Sequence, residues 1–192
     1  MKSLIIVLSG PSGAGKGTIY NEICKRRNNV YRYLSCTTRK KRKNEKDGVD
    51  YDFVTIEEFK EREKQGYFLE TIFFQGNYYG TPIPKLSDYE QRDIFFDLNA
   101  EGGLKIKEKF PQAILIYIMP INIEELKRRV DVRGIERIEL ARNEVELAKR
   151  FDWLIINDNI ADSVNVVEDI IRIYRNNRMS NKDNLDFIDS FY

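Results

Sequence analysis

The chain opens on an unbroken apolar run, residues 4–8, that stops at Ser9 and Gly10. A stretch without polar alternation, rich in isoleucine and valine, suits a short strand covered on both faces. Past a glycine-rich turn the period changes. Over residues 18–27, Ile19 and Ile23 recur at helical spacing among the aliphatic stems of Lys and Arg. Two more apolar runs, residues 93–98 and 113–119, each precede a helical pattern, at 101–109 and 123–133. Residues 153–156 add another strand, and residues 161–174 close the pattern with Val164, Val167, Ile170, Ile171 and Tyr174 on one helical stripe. Strands alternating with helices predict an α/β core in which a parallel sheet is flanked by helices.

Two segments break this rhythm. Residues 35–81 are polar, tyrosine-rich and alternating; 51–54 and 67–74 read as antiparallel strands of an inserted, mixed β-rich subdomain. Residues 127–150 are charged and helix-forming with no continuous apolar face, which predicts a helical flap. The 192 residues thus divide into a core (1–34, 82–125 and 151–175), an insert (35–81), a lid (126–150) and a polar tail (176–192), within a single domain.

Composition narrows the chemistry. With 42% hydrophobic and 33% charged residues the chain reads as a soluble globular protein. A formal charge of +1 gives no reason to expect nucleic acid or an anionic membrane as a partner. The opening apolar run is too short for a signal peptide or a membrane span. Two cysteines, Cys24 and Cys36, without metal-ligand spacing, argue against a disulfide framework or zinc site and for a reduced, cytoplasmic setting. With no histidine in the chain, catalysis has to rest on carboxylates, Lys, Arg, backbone amides or a metal ion.

Gly10-Pro11-Ser12-Gly13-Ala14-Gly15-Lys16 has phosphate-loop spacing and lies between a buried strand and a helix, where such a loop belongs. Glycines let successive N–H groups converge on phosphate oxygens, the helix N-terminus adds positive charge, and Lys16 can reach the transferring phosphate. A glycine-rich turn alone would mean little; the strand and helix on either side make it a nucleoside triphosphate site and the core that of a P-loop NTPase. Gly17 follows the lysine, so a hydroxyl for Mg²⁺ comes from Thr18 or through water. The Lys-Gly-Thr sequence recurs in nucleoside monophosphate kinases.

Further along, Ser35-Cys36-Thr37-Thr38-Arg39, then Arg42, Glu45, Gly48 and residues 50–54, then Phe68-Leu69-Glu70 and residues 76–81, resemble guanylate kinases in order and spacing. With the phosphate loop, the resemblance covers the chain to about Tyr174. It implies ATP as phosphate donor with Mg²⁺, GMP and also dGMP as acceptors, and a GMP site made of Ser35, Arg39, Arg42, Glu45, Tyr51, Glu70, Tyr79, Gly80, Thr81 and Asp97. The chemistry agrees. Arg39 and Arg42 offer guanidinium forks suited to a dianionic phosphate, and Tyr51 and Tyr79 add hydroxyl donors. One carboxylate, Glu70, can accept from both N1–H and the N2 amine of guanine, groups that adenine lacks. Ser35 and Thr81, by resemblance, donate toward guanine O6.

Arg129 and Arg133 share a helix face and Arg142 follows; by resemblance to the family's lid they join Lys16 in stabilising charge on the moving phosphoryl group. A salt-bridged surface helix would look similar without the resemblance. The phosphate loop through Gly17 and Thr18, with Asn157 and Asp158 at the adenine, makes up the implied ATP site. Asp97 suits a water-bridged Mg²⁺. The chain departs from the family pattern of Asp, any residue, Asp at Asp97-Leu98-Asn99, and is shorter between Thr81 and Asp97 and between Arg133 and Arg142. Two rival readings stay open: a guanylate-kinase-like module that binds a protein without catalysis, and a kinase of another small phosphate acceptor. Retention of Gly13, Gly15 and Lys16 counts against the first, and Glu70 with Ser35 and Thr81 against the second.

Overall fold

The computed structural model describes residues 3–11, 13–85, 92–121 and 146–176. Along the chain run β1 (Ile5–Ser9), α1 (Lys16–Arg26), β2 (Val30–Tyr33), β3 (Cys36–Thr37), β4 (Asp52–Phe53), α2 (Ile56–Lys64), β5 (Phe68–Phe74) and β6 (Asn77–Pro82). They continue as β7 (Asp93–Asp97), α3 (Ala100–Lys109), β8 (Ile114–Pro120), β9 (Trp153–Asn157) and α4 (Ile160–Arg175). Five strands form one sheet in the order β2-β7-β1-β8-β9, all parallel. Crossover helices place the sheet between two layers, as the alternating pattern predicts.

β1 occupies the centre, and its period-2 alternation feeds both layers. Ile6 and Leu8 join Ile19 and Ile23 of α1 and Val164, Val167 and Ile171 of α4 in one buried cluster. Ile5 and Val7 face the other way, onto Leu104 and Ile106 of α3. Burying a side chain of this size contributes about 1.5–3 kcal/mol, so the all-apolar run is required by a sheet covered twice. The stripe on α4 holds through Ile171; Tyr174 lies at the rim, where its hydroxyl accepts from Trp153 Nε1 at 3.4 Å. The edge strand β2 was not apparent from its sequence, since Val30-Tyr31-Arg32-Tyr33 is half-buried and carries no apolar run.

The insert forms a second sheet, β4-β3-β6-β5. β5 and β6 make the expected antiparallel hairpin, but β4 pairs parallel to β3, with Cys36 beside Asp52 and Thr37 beside Phe53, which corrects the antiparallel reading of residues 51–54. The long connection between β3 and β4 allows the chain to cross back and re-enter in the same direction. Helix α2 was also missed, although its start is written in the sequence. Thr55 Oγ1 accepts from Glu58 N at 3.1 Å while the Glu58 carboxylate accepts from Thr55 N at 2.8 Å, a capping box. Phe59 of α2 is fully buried, stacked on Phe68 at 4.5 Å and Tyr78 at 5.4 Å, and these rings form the insert's own core.

Of the expected flap, only its C-terminal end is described. Leu147 and Ala148 pack with Phe151 against the buried Tyr117. Arg129, Arg133 and Arg142 lie outside the described residues, as do Ser12 and nearly all of the tail.

A buried carboxylate ties the far edge of the core together. Asp93, its side chain 1% exposed, pairs with Arg27 beyond α1 and Arg175 at the end of α4, and accepts from Leu4 N at 3.2 Å. Removing one partner of a buried pair leaves charge uncompensated. Asp93→Asn should therefore destabilise the fold by about 3 kcal/mol, measured by urea unfolding, with the remaining guanidinium groups bearing the loss.

Candidate active site

The strand that carries the first apolar run ends where the phosphate loop begins, and the loop is held from behind. Gly15 precedes α1 with φ +98, a left-handed conformation, and a Cβ there would lie 2.3 Å from Asn157 Nδ2. Glycine is thus required twice over. Asn157, at the end of β9, donates from Nδ2 to Ala14 O at 2.7 Å and accepts from the Ser163 hydroxyl at 2.9 Å. It is 1% exposed, and with these two bonds it braces the loop from behind. Asp158 next to it is exposed, as is Thr18 in the first turn of α1. Lys16 donates to Gly10 O at 2.7 Å and lies 3.8 Å from Asp97 Oδ1.

Asp97 closes β7, beside the phosphate loop. The buried Ser9 hydroxyl donates to Leu98 O at 2.9 Å and Asn99 O at 3.1 Å, pinning the turn that follows. Asn99 then caps α3, accepting from Gly102 N at 2.8 Å. An amide and a carboxylate both serve there, so the position where the chain departs from the Asp-x-Asp pattern keeps its structural duty without the charge. The residues present suit Mg²⁺: one half-exposed carboxylate, Asp97, and one exposed hydroxyl, Thr18, are the donor set of an ion held mainly by phosphate oxygens and water.

Between the two sheets lies a cleft of about 290 Å³. Ser35, Tyr51, Glu70, Tyr79, Gly80, Thr81 and Asp97 all line it, so most residues of the expected GMP set converge on one space. Glu70 sits on β5 with its side chain 14% exposed, 3.4 Å from Lys105 Nζ, and accepts from the Thr81 hydroxyl at 3.3 Å. Its carboxylate has room because α3 passes with a glycine: a Cβ on Gly102 would stand 2.2 Å from Glu70 Oε1. Burial raises the Tyr51 hydroxyl above its ordinary value, which keeps it a donor.

Arg39, Arg42 and Glu45 of the expected GMP set are not among the lining residues; Arg39 adjoins the cleft through Tyr51. Its fork meets Glu45 through two bonds, Nη1 to Oε2 at 2.9 Å and Nη2 to Oε1 at 2.8 Å, and lies over the Tyr51 ring at 5.5 Å. Glu45 also accepts from Arg42 N at 2.8 Å, so it acts by holding both arginines of the loop; the Arg42 side chain itself is exposed. The hydrogen bonds from Arg39 hold the Glu45 carboxyl below its ordinary 4.5. Sequence reasoning missed Ile72, Phe74 and Leu98 in the lining, Lys105 beside Glu70, and Arg32, whose guanidinium lies 3.5 Å from Asp97; Asn99, singled out as a departure from the family pattern, also lines the cleft. Ile72 and Phe74 were legible, since they share a strand face with Glu70 by simple alternation.

The loop lysine thus lies 3.8 Å from a carboxylate that also lines the cleft holding Glu70. The family model described as guanylate kinase matches residues 2–174. The chain belongs to the guanylate kinase family. The guanylate kinase of Clostridium perfringens (strain 13 / Type A) is 39% identical, over 88% of this chain and 83% of that protein. That of Thermotoga maritima is 37% identical, over 97% and 94%. The crystal structure of the guanylate kinase from Anaplasma phagocytophilum superposes with a TM-score of 0.75 at 31% identity, covering 88% of this chain and 85% of that one. Membership makes the chain a nucleotide kinase, and the five-stranded parallel sheet is the core of that fold.

Two outcomes test the site's geometry. Gly102→Ala should push the Glu70 carboxylate aside and leave the fold intact, because the clash is with the end of a side chain. A monophosphate that depends on Glu70 should then show a KM raised by roughly tenfold to a hundredfold, the scale of a lost charged hydrogen bond. Because the Glu45 carboxyl is lowered, its pair with Arg39 contributes fully above about pH 4.5 and is lost as pH falls through the lowered folded value. Glu45→Gln should therefore cost about 0.5–1 kcal/mol at neutral pH, and nothing in stronger acid, by thermal unfolding.

Proposed function

We propose that the chain transfers the γ-phosphoryl group of ATP to GMP, giving ADP and GDP, with Mg²⁺ on the triphosphate. The observation that carries this reading is the sharing of Asp97: it lies 3.8 Å from the phosphate-loop lysine and also lines the cleft that holds Glu70. A triphosphate on the loop and a monophosphate in the cleft would meet at that carboxylate, which is what in-line transfer between them requires. When bound, Mg²⁺ neutralises charge on the phosphates, with Asp97 and Thr18 as its residues here.

In this reading the cleft recognises GMP at both ends. Glu70 accepts from guanine N1–H and N2, kept aimed by Lys105 and Thr81. Arg39 and Arg42, with the Tyr51 and Tyr79 hydroxyls, take the phosphate, and Glu45 presents Arg39 as a planar fork. These contacts address base and phosphate, so the proposal extends to dGMP. Lys16 stabilises the moving phosphoryl group, and Arg129, Arg133 and Arg142 close over it from the lid. Asn157 and Asp158, at the end of β9, are the proposed adenine contacts. The same reading takes residues 35–81 as the GMP-binding part and 126–150 as the lid. A cytoplasmic setting is proposed from the free Cys24 and Cys36; among the described residues no helix is long and apolar enough to cross a membrane.

ADP formation measured with GMP, dGMP, AMP, CMP, UMP and IMP tests this directly. GMP and dGMP should be the good acceptors, and IMP, which lacks the N2 amine, a poor one. Glu70→Gln should weaken GMP by about tenfold to a hundredfold, since an amide offers one acceptor and turns a donor toward the base. The GMP-to-IMP preference should shrink with it. Equal use of AMP and GMP, or an unchanged preference in the variant, would refute Glu70 as the reader of the base.

A further inference from the structure

Arg32 is a charged residue in the middle of a tyrosine strand, and three parts of the molecule meet at it. Its guanidinium lies 5.3 Å from the ring centroid of Tyr20 on α1. One nitrogen is 3.5 Å from Asp97 Oδ2 at the end of β7, and the other is 3.7 Å from Asp50 Oδ1, just ahead of β4. Neither support is loose. Tyr20 packs on the buried Phe95 with ring centroids 5.8 Å apart, and the other oxygen of Asp50 accepts from Lys46 N at 2.7 Å. The Arg32 side chain is 21% exposed, so most of it is enclosed by these neighbours.

Asp97 is consequently flanked by two cations, one on each oxygen: Lys16 at 3.8 Å from Oδ1 and Arg32 at 3.5 Å from Oδ2. With a single pair the carboxylate could turn about its last bond; with a cation on both sides its plane is set. We propose that Arg32 is a positioning residue for phosphoryl transfer, fixing the plane of Asp97 beside the phosphate loop and, through Asp50, latching the insert onto the parallel core. A guanidinium suits the task because its planar fork reaches two carboxylates at once, whereas an ammonium is a point charge that satisfies one. Both ion pairs exceed hydrogen-bond length and are partly exposed, so each contributes little to folding stability. That separates a positioning role from a structural one: the effect should fall on turnover and GMP affinity rather than on unfolding. The inference rests on the reading of the cleft as the GMP site.

The test compares Arg32→Leu, Arg32→Lys and Asp50→Asn by steady-state kinetics with ATP and GMP, calorimetric titration of GMP, and thermal unfolding. Arg32→Leu should lower kcat by about tenfold to a hundredfold, the scale on which misplacing a reacting group by an ångström costs rate, with the KM for ATP and the unfolding midpoint unchanged. Arg32→Lys, which keeps a charge beside Asp97, should restore kcat and leave GMP affinity weakened. Asp50→Asn should reproduce that affinity loss and add nothing to it in combination with Arg32→Lys, because the two substitutions cut one link. If Arg32→Leu leaves both kcat and GMP affinity unchanged, or lowers only stability, the inference is overturned. A parent chain that forms no ADP with GMP would overturn the reading of the cleft and this inference with it. A working parent with a silent Arg32→Leu overturns the inference alone.

Discussion

A buried carboxamide holds the phosphate loop in shape. Asn157 closes β9 and donates to the Ala14 carbonyl across the sheet's edge, while Ser163 of α4 fixes the amide's other end. For that contact the chain has to pass Asn157 with no Cβ in the way and turn left-handed into α1, which leaves glycine at position 15 as the one fitting residue. An unpaired polar group in this interior would be costly, so loop, strand end and helix start are committed together. The other site elements gather at the same edge for a topological reason. In a parallel sheet all strand ends point one way, and β1, β7 and β9 deliver Gly10, Asp97 and Asn157 to a common rim.

That rim is also where charge is concentrated and paired. Lys16, Arg32, Asp97 and Asp50 alternate in sign along the seam between the sheets, and Arg39 with Glu45 repeats the arrangement on the insert. Each cation has its carboxylate within ion-pair distance. A site destined for several phosphate charges thereby keeps its guanidinium and ammonium groups oriented before any phosphate arrives, which lowers the ordering cost of binding. Pairing through bidentate or bracketed geometry also sets direction: the planar fork of Arg39 is held flat by both oxygens of Glu45, over the Tyr51 ring.

The core was legible because burial on both faces leaves an unmistakable trace. Residues 5–8 have no polar option, and α4 shows its stripe in Val164, Val167 and Ile171. The insert was less legible, since its sheet is half-exposed and its partners are set by tertiary contact. A two-residue strand such as Asp52–Phe53 carries no periodicity from which direction could be read, and the capping box at Thr55 and Glu58 heads a helix with a single buried side chain, Phe59, too little to make an apolar stripe. Among site residues, motif spacing located the loop glycines, Glu70 and Asp97. It had no means of finding Arg32, Lys105 or Gly102, whose importance comes from what the folded chain places beside them. Nor could it show that Asn157 bonds to the loop, a contact that only the folded chain reveals.

The amide at position 99 fits this account of charge. Asn99 caps α3 through its side-chain oxygen, as an aspartate would, but it forgoes the favourable interaction of a carboxylate with the helix N-terminus, worth about 0.3–1 kcal/mol at an exposed end. It also removes a negative charge from the turn next to Asp97. With Asn99 neutral, the local balance is struck by Asp50, which Arg32 draws toward the same seam from the insert, so that Lys16 and Arg32 face Asp97 and Asp50 as two cations against two carboxylates. A carboxylate carried on the insert differs from one carried on the core strand in one physical respect: its distance from the phosphate loop depends on how the two sheets sit together. The electrostatics of the loop are thereby coupled to the placement of the insert's sheet.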